Sequence, residues 1–282
     1  MVGGAEFAFF CHQVADLADP HRRFRLSSSD LALINPNTRT APVFRSRRDA
    51  ELTKAVYRRV PVLLSKGPPE RNPWGVSFRQ GLFNMTSDSH LFRSRAELES
   101  DAWALDGNAF VRGQERMLPL YEAKMVHQFD HRWAGWTGAA IADLDAQAKS
   151  DPSTLPLPRY WVAEPEVATR LPDRPAWLLG YRRICRSTDE RSVIPFVVPR
   201  YAAGDSIFLI QSAVSPVSVA VLGAALCSFA LDFFARRRSA AATSTSSSPS
   251  SSRCCRRRPM TRPPPGTPSV GWTTGWPAGC WN

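Results

Sequence analysis

Residues 177–200 read WLLGYRRICRSTDERSVIPFVVPR, and this stretch decides the fold class. Apolar runs from Trp177 to Cys185 and from Ser192 to Pro199 flank a Thr188-Asp189-Glu190 turn, the composition of two strands joined by a polar connection. Working outward, Tyr160 to Val162 reads as a further strand, separated from the next by turn residues at Pro172-Asp173. On the other side Ile207 to Ile210 is strand-like, and Pro216 divides it from a helix over about Val217 to Ala235. Far upstream, Ala50, Leu52, Ala55, Val56 and Tyr57 fit one face of a short amphipathic helix over 46–60, stopped by Pro61. Short strands close together with helices on either side make an α+β fold, with a mixed short-stranded sheet and flanking helices.

The 282 residues are 43% hydrophobic and 10% aromatic, enough for a real core, so disorder throughout is excluded. Only 16 Gly and 6 Cys exclude collagen-like and disulfide-scaffold classes. Formal net charge is +11, but residues 236–282 hold eight arginines and no acid, which leaves +3 on residues 1–235. A body that mildly basic does not argue for nucleic acid by itself. Just four of the 36 basic residues are lysines (Lys54, Lys66, Lys124, Lys149), the bias of a GC-rich coding sequence. Cys11, Cys185, Cys227, Cys254, Cys255 and Cys280 show no CxxC spacing, and MVGGAEFAFFCHQ has no basic segment ahead of its short apolar run. Free thiols, no secretory signal and a cytoplasmic location are therefore expected.

Elsewhere Glu6 to Cys11 is strand-like, while 20–48 carries so many turn signals that it reads as ordered loop. Ser87 to Leu98 suits a helix capped by Ser87 or Asp88, and residues 117–133 suit a strand running into a turn or short helix. Residues 134–156, rich in Gly, Ala, Asp and Ser, look like a mobile insertion. Residues 207–231 lack charge, as a membrane span would, but Gln211, five serines or prolines and the break at Pro216 favour a core strand followed by a core helix. Beyond Ala235 no hydrophobic period exists, and disorder is expected.

His127 and His131 stand four apart, as in zinc proteases, but Gln128 occupies the place of the required Glu and no third ligand is evident. No metal site is expected. No phosphate-binding loop, nucleophile elbow or dinucleotide fingerprint occurs, and Asn72-Pro73-Trp74 reads as a turn. What stands out are two clusters, Tyr121 to Trp133 and Gly180 to Ser192, that mix Arg or Lys with aromatics and with Glu122, Asp130 and Asp189. Arginine forks read guanine or clamp phosphates, His and Gln reach base edges, and acids lock the rotamers of both. A solvated, ion-paired surface has the same composition.

LPLYEAKMVHQFDHRW (118–133), GYRRICRSTDERSVIPFVVPR (180–200) and INPNTRTAPVFRSRRDAELTKAVYRRVPVLL (34–64) resemble, in the same order, the carboxy-terminal half of the Eco57I-like restriction-modification methylases. These are class I adenine-specific DNA methyltransferases with a TaqI-like specificity domain. The resemblance covers about Phe7 to Ala235, with Ala123 where the family has Gly, and Asp189 and Ser192 where it has Asn and Thr. It implies that 1–19 is the end of a catalytic domain, 20–235 a DNA target-recognition domain, and 236–282 an out-of-frame tail, because the family's continuation read one base late approximates Ser239 to Ser246. It further implies duplex DNA as the partner, with a catalytic domain flipping the adenine. Tyr121, Lys124, His127, Asp130, His131, Arg183, Arg186 and Arg191 become candidate DNA contacts, with Arg132 and Asp189 beside them. The family's S-adenosylmethionine site and catalytic tetrapeptide have no counterpart here, so no cofactor, no catalytic residue and no methyl transfer are expected of this chain alone. The alternatives are a stand-alone specificity subunit working with a separate methyltransferase chain, and a membrane-anchored protein.

Overall fold

A computed structural model describes residues 3–171, 176–185 and 189–243, and the short antiparallel pair Trp272–Thr273 and Trp276–Pro277. The chain is α+β, and it divides into two compact units, Met1–Glu70 with Arg237–Asn282 and Arg71–Arg236.

In the first unit β1 (Ala5–Phe7) pairs antiparallel with β2 (Phe24–Leu26), followed by α1 (Ser28–Ile34) and α2 (Arg47–Arg59). The boundary expected at 19/20 lies between these paired strands. Residues 20–48 are not a loop, because Ser27 and Asp30 form a capping box. The Ser27 hydroxyl accepts from the Asp30 N–H at 3.1 Å, and the Asp30 carboxylate accepts from the Ser27 N–H at 3.0 Å. α2 forms where its apolar spacing requires, with Ser46 accepting from the Asp49 N–H at 3.2 Å and Arg58 and Arg59 at the carboxyl end of the dipole. Phe24, Leu26, Ile34, Phe44 and Ala50 make the core.

Among its described residues the second unit, Arg71–Arg236, contains a four-stranded sheet, a five-stranded sheet and a two-stranded hairpin. Its elements begin with β3 (Val76–Gln80), α3 (Arg95–Ser100), β4 (Ala104–Asp106), β5 (Ala109–Arg112) and β6 (Glu115–Tyr121). They continue with β7 (Ala134–Thr137), β8 (Ala140–Asp143), α4 (Ala146–Ser150), β9 (Trp161–Ala163), α5 (Glu164–Arg170), β10 (Trp177–Arg182) and β11 (Pro195–Pro199). Last are β12 (Ala202–Ala203), β13 (Ile207–Ser212), α6 (Pro216–Leu226) and α7 (Phe229–Thr243). One sheet is antiparallel in the order β11-β10-β13-β3, with Gly180 opposite both Phe196 and Leu209. The other runs β12-β6-β5-β4, with β9 also on β6. Leu118, Leu120, Val162, Phe196, Ile207 and Leu209 pack in one core drawn from strands of both sheets.

Gly81 follows β3 with φ +58°, and a Cβ there would lie 2.5 Å from the Gly204 carbonyl oxygen. Gly81→Ala therefore meets both left-handed strain and a backbone clash. We expect a loss of about 2 kcal/mol, read from the urea midpoint of the full chain.

Residues 134–156 are not an irregular insertion: β7 and β8 form a hairpin and Asp145 caps α4, accepting from the Ala148 N–H at 2.7 Å. The helix expected over about 217–235 is two helices bent by 60°. Ser228 starts the second by accepting from the Leu231 N–H at 3.2 Å, and α7 continues to Thr243, past the expected end. Apart from the 272–277 pair, the remainder of the expected disordered tail lies outside the described residues. Among the described residues no single helix is long and apolar enough to cross a membrane.

Candidate nucleic-acid interface

β6 carries the chain out of the core at Tyr121, a single 3-10 turn spans Ala123–Met125, and the backbone then closes a tight turn. The His127 N–H donates to the Asp130 carbonyl at 2.7 Å and the Asp130 N–H returns to the His127 carbonyl at 3.0 Å. Because the pair caps a turn, His127 and His131 do not share a helix face, and the zinc-protease spacing has no geometric counterpart. Among the described residues no group of three metal-ligating side chains occurs.

The second cluster meets the first through Arg182. Its Nε and Nη2 donate to the Val126 carbonyl at 2.9 and 2.6 Å. The connection after β10 is anchored to α7 by Asp232, which is 7% exposed. One Asp232 oxygen accepts from the Ser192 and Val193 N–H groups at 2.6 and 3.0 Å, and the other accepts from Arg236 Nε at 3.0 Å. Arg236 Nη2 also donates to the carbonyls of Asp189, at 2.9 Å, and Glu190. Burial pushes the Cys185 thiol up to about 11, so it stays protonated at neutral pH.

The ten candidate contacts separate by what already occupies them. Tyr121 is buried against Tyr201, at 6.1 Å between ring centroids, and burial raises its phenol pKa. It is a core residue rather than a surface contact. Arg132 is committed to structure: its guanidinium donates to the Asp151, Thr154 and Lys149 carbonyls at 2.8, 3.0 and 2.8 Å. Asp130 accepts from the Arg132 N–H at 2.8 Å and pairs with Lys149 at 2.8 Å. Burial works to raise the Asp130 pKa, but Lys149 and the Arg132 N–H outweigh it and hold the carboxyl below its usual range. Lys124 is exposed. Arg183 Nε and Arg191 Nη1 have no hydrogen-bond partner among the described residues, although Arg191 lies 3.7 Å over the Phe229 ring. Asp189 contributes its carbonyl to Arg236, and Arg186 lies outside the described residues.

Lys149 belongs to this cluster, which sequence reasoning missed by reading 134–156 as an insertion. Its ammonium sits 4.5 Å over the Trp133 ring, and His127 packs against the same indole at 4.5 Å with the rings tilted by 34°. The only cue in the sequence is the Asp145 cap of α4, which orients the helix carrying Lys149.

Burial, then the nearby Arg182 charge, lowers the His127 pKa; burial, then Arg132, lowers that of His131. A depressed histidine value means that the unfolded chain binds more protons, so stability is lost as pH falls through the ordinary value of 6.5. Glu122 has the opposite sign. Burial raises its pKa against the pull of Arg159 and Lys124, so its contribution is lost as pH rises from 4.5 through the raised value. We expect the two histidines to draw the urea midpoint down between about pH 7.5 and pH 5.5, with Glu122 acting against them. The drop should shrink in His127→Asn/His131→Asn, and an unchanged drop in that variant would remove the assignment.

Residues 71–236 carry 18 Lys or Arg and 18 Asp or Glu, so the unit is formally neutral and any anion binding must come from local arrangement. No protein-family model, no curated protein and no solved structure matches the chain.

Proposed function

We propose that residues 71–236 recognise duplex DNA, in the manner of the target-recognition part of an adenine-specific DNA methyltransferase of a restriction-modification or phage-defence system. No residue of this chain is assigned to methyl transfer or to S-adenosylmethionine. The observation that carries the reading is the bridge from Arg182 to the Val126 carbonyl, which ties together the two Arg-aromatic segments, 56 residues apart and bearing Lys124, His127, His131, Arg183 and Arg191, while the Asp130 ion pair adds Lys149. A solvated, ion-paired surface does not require buried guanidinium N–H groups without a partner among the described residues, as Arg183 Nε and Arg191 Nη1 are. Phosphates supply acceptors for the other N–H groups of such guanidinium groups.

Fluorescence anisotropy with a random-sequence duplex over a salt series tests this. Lys124→Ala and Arg183→Ala each weaken binding and flatten the slope of log K against log salt by about 0.9. Arg116→Ala is the control, since Arg116 is exposed on β6, paired with Glu164 at 3.4 Å and outside the cluster. Equal effects from all three variants remove the localised face. Lys149 is no neutral control, because its loss also frees Asp130 and uncovers Trp133.

A second reading, a specificity subunit docked on a separate methyltransferase chain, draws on α6, where Val217 and Val221 are exposed on an uncharged helix. Val221→Asp abolishes co-elution with such a chain under this reading and leaves DNA binding intact.

A further inference from the structure

The tip of the His127–Asp130 turn is Phe129, with φ +62° and a side chain 84% exposed. Both properties are unfavourable for the isolated chain. The left-handed region suits Gly or Asn rather than an aromatic residue, and the ring gains nothing from burial. The turn below it is braced on every side. Val126 is held by Arg182, Gln128 Nε2 donates to the Cys227 carbonyl at 3.2 Å, and Asp130 is paired with Lys149 at 2.8 Å. His127 packs against Trp133. A rigid base therefore presents a strained, unpacked aromatic ring, and the turn residues that carry it are held by Arg182 and Lys149. Strain of this kind, kept by over-determined surroundings, points from structure to function.

Resting on the DNA reading above, we propose that Phe129 is a wedge that enters the base stack of duplex DNA. Phenylalanine is one of the apolar side chains that part base steps, and a ring on a fixed turn loses little freedom when it does so. The cluster's cations then hold the flanking phosphates, so the contact is indifferent to sequence and acts by opening the duplex. That opening is the first requirement for bringing an adenine out of the helix. Phe229, 78% exposed but covered by Arg191, is not presented in this way.

The test uses the full chain and a random-sequence duplex in which 2-aminopurine replaces part of the adenine. Binding is read by anisotropy and unstacking by 2-aminopurine fluorescence. The unaltered chain is expected to bind and to raise the fluorescence. Phe129→Gly suits the left-handed backbone, so its unfolding midpoint should hold or rise, while duplex affinity falls about tenfold and the fluorescence rise disappears. A residue with only a structural role would shift the midpoint and not the fluorescence. Unchanged affinity and fluorescence in Phe129→Gly overturn the wedge while leaving DNA recognition standing, as does duplex binding with no fluorescence rise in the unaltered chain. Selective loss of affinity for single-stranded DNA also overturns it, placing Phe129 on an already unpaired base. Absence of duplex binding by the unaltered chain overturns the wedge and the DNA reading together.

Discussion

Trp161→Ala is expected to lower the unfolding free energy by about 3–5 kcal/mol, the range for truncating a large buried aromatic. Trp161 is 1% exposed on β9, meets Phe110 edge-on at 5.0 Å, and donates from its indole to the Asn108 carbonyl at 2.7 Å. Its backbone exchanges hydrogen bonds with Arg93 at 2.8 and 2.9 Å, so the side chain sits where β6, β9 and the segment before α3 converge. Asn108 in turn donates to the Pro156 carbonyl at 3.4 Å, tying the end of the β7–β8 and α4 region to the same point. Trp161→Phe separates the two contributions. It keeps most of the buried volume and loses the indole donor, which should cost about 1–2 kcal/mol. Urea denaturation of the full chain, with hydrogen exchange at the β6 amides, measures both. Equal losses in the two variants would assign the effect to the hydrogen bond instead of the packing.

Asp232→Ala is expected to cost about 3 kcal/mol and to disable the interface as well. The carboxylate serves the Ser192 and Val193 N–H groups and Arg236 together, and removing it leaves two buried donors and a partly buried guanidinium without their acceptor. The strand entry at 192–193 and the carbonyls of Asp189 and Glu190 are then released at once, since Arg236 loses the group that orients it. Arg183 and Arg191 lie within that connection, so duplex affinity should fall along with the midpoint. Asp232→Asn keeps one oxygen for Ser192 and Val193 and gives up the ion pair, and a smaller loss follows. If Asp232→Ala unfolds at the wild-type midpoint, the connection does not depend on this anchor.

The helix α2 was legible because every determinant is local: a Ser46 cap, apolar spacing over 47–59, and Pro61 beyond its end. β10 and β11 were legible for the same reason, as apolar runs bounded by turn residues. α1 was missed although its Ser27-x-x-Asp30 box is equally local, because the surrounding Asn and Pro turn signals outweighed it. The β4–β5 hairpin carries its own cue in Asp106-Gly107, with Gly107 at φ +61°.

The sequence by itself determined the α+β class, α2, the division of 207–235 into strand and helix, and the two Arg-aromatic segments as places where polar chemistry concentrates. Only the tertiary structure decided which members of those segments are available. Tyr121 is buried, Arg132 is bound by three carbonyls, Arg182 is fixed to Val126, and Lys149 is brought from α4 to a turn nineteen residues earlier, on Asp130. The physical reason is one of range. A helix cap or a strand alternation is settled by neighbours within a few residues, whereas a guanidinium takes whatever carbonyl or carboxylate folding brings within 3 Å, and no local pattern encodes that partner.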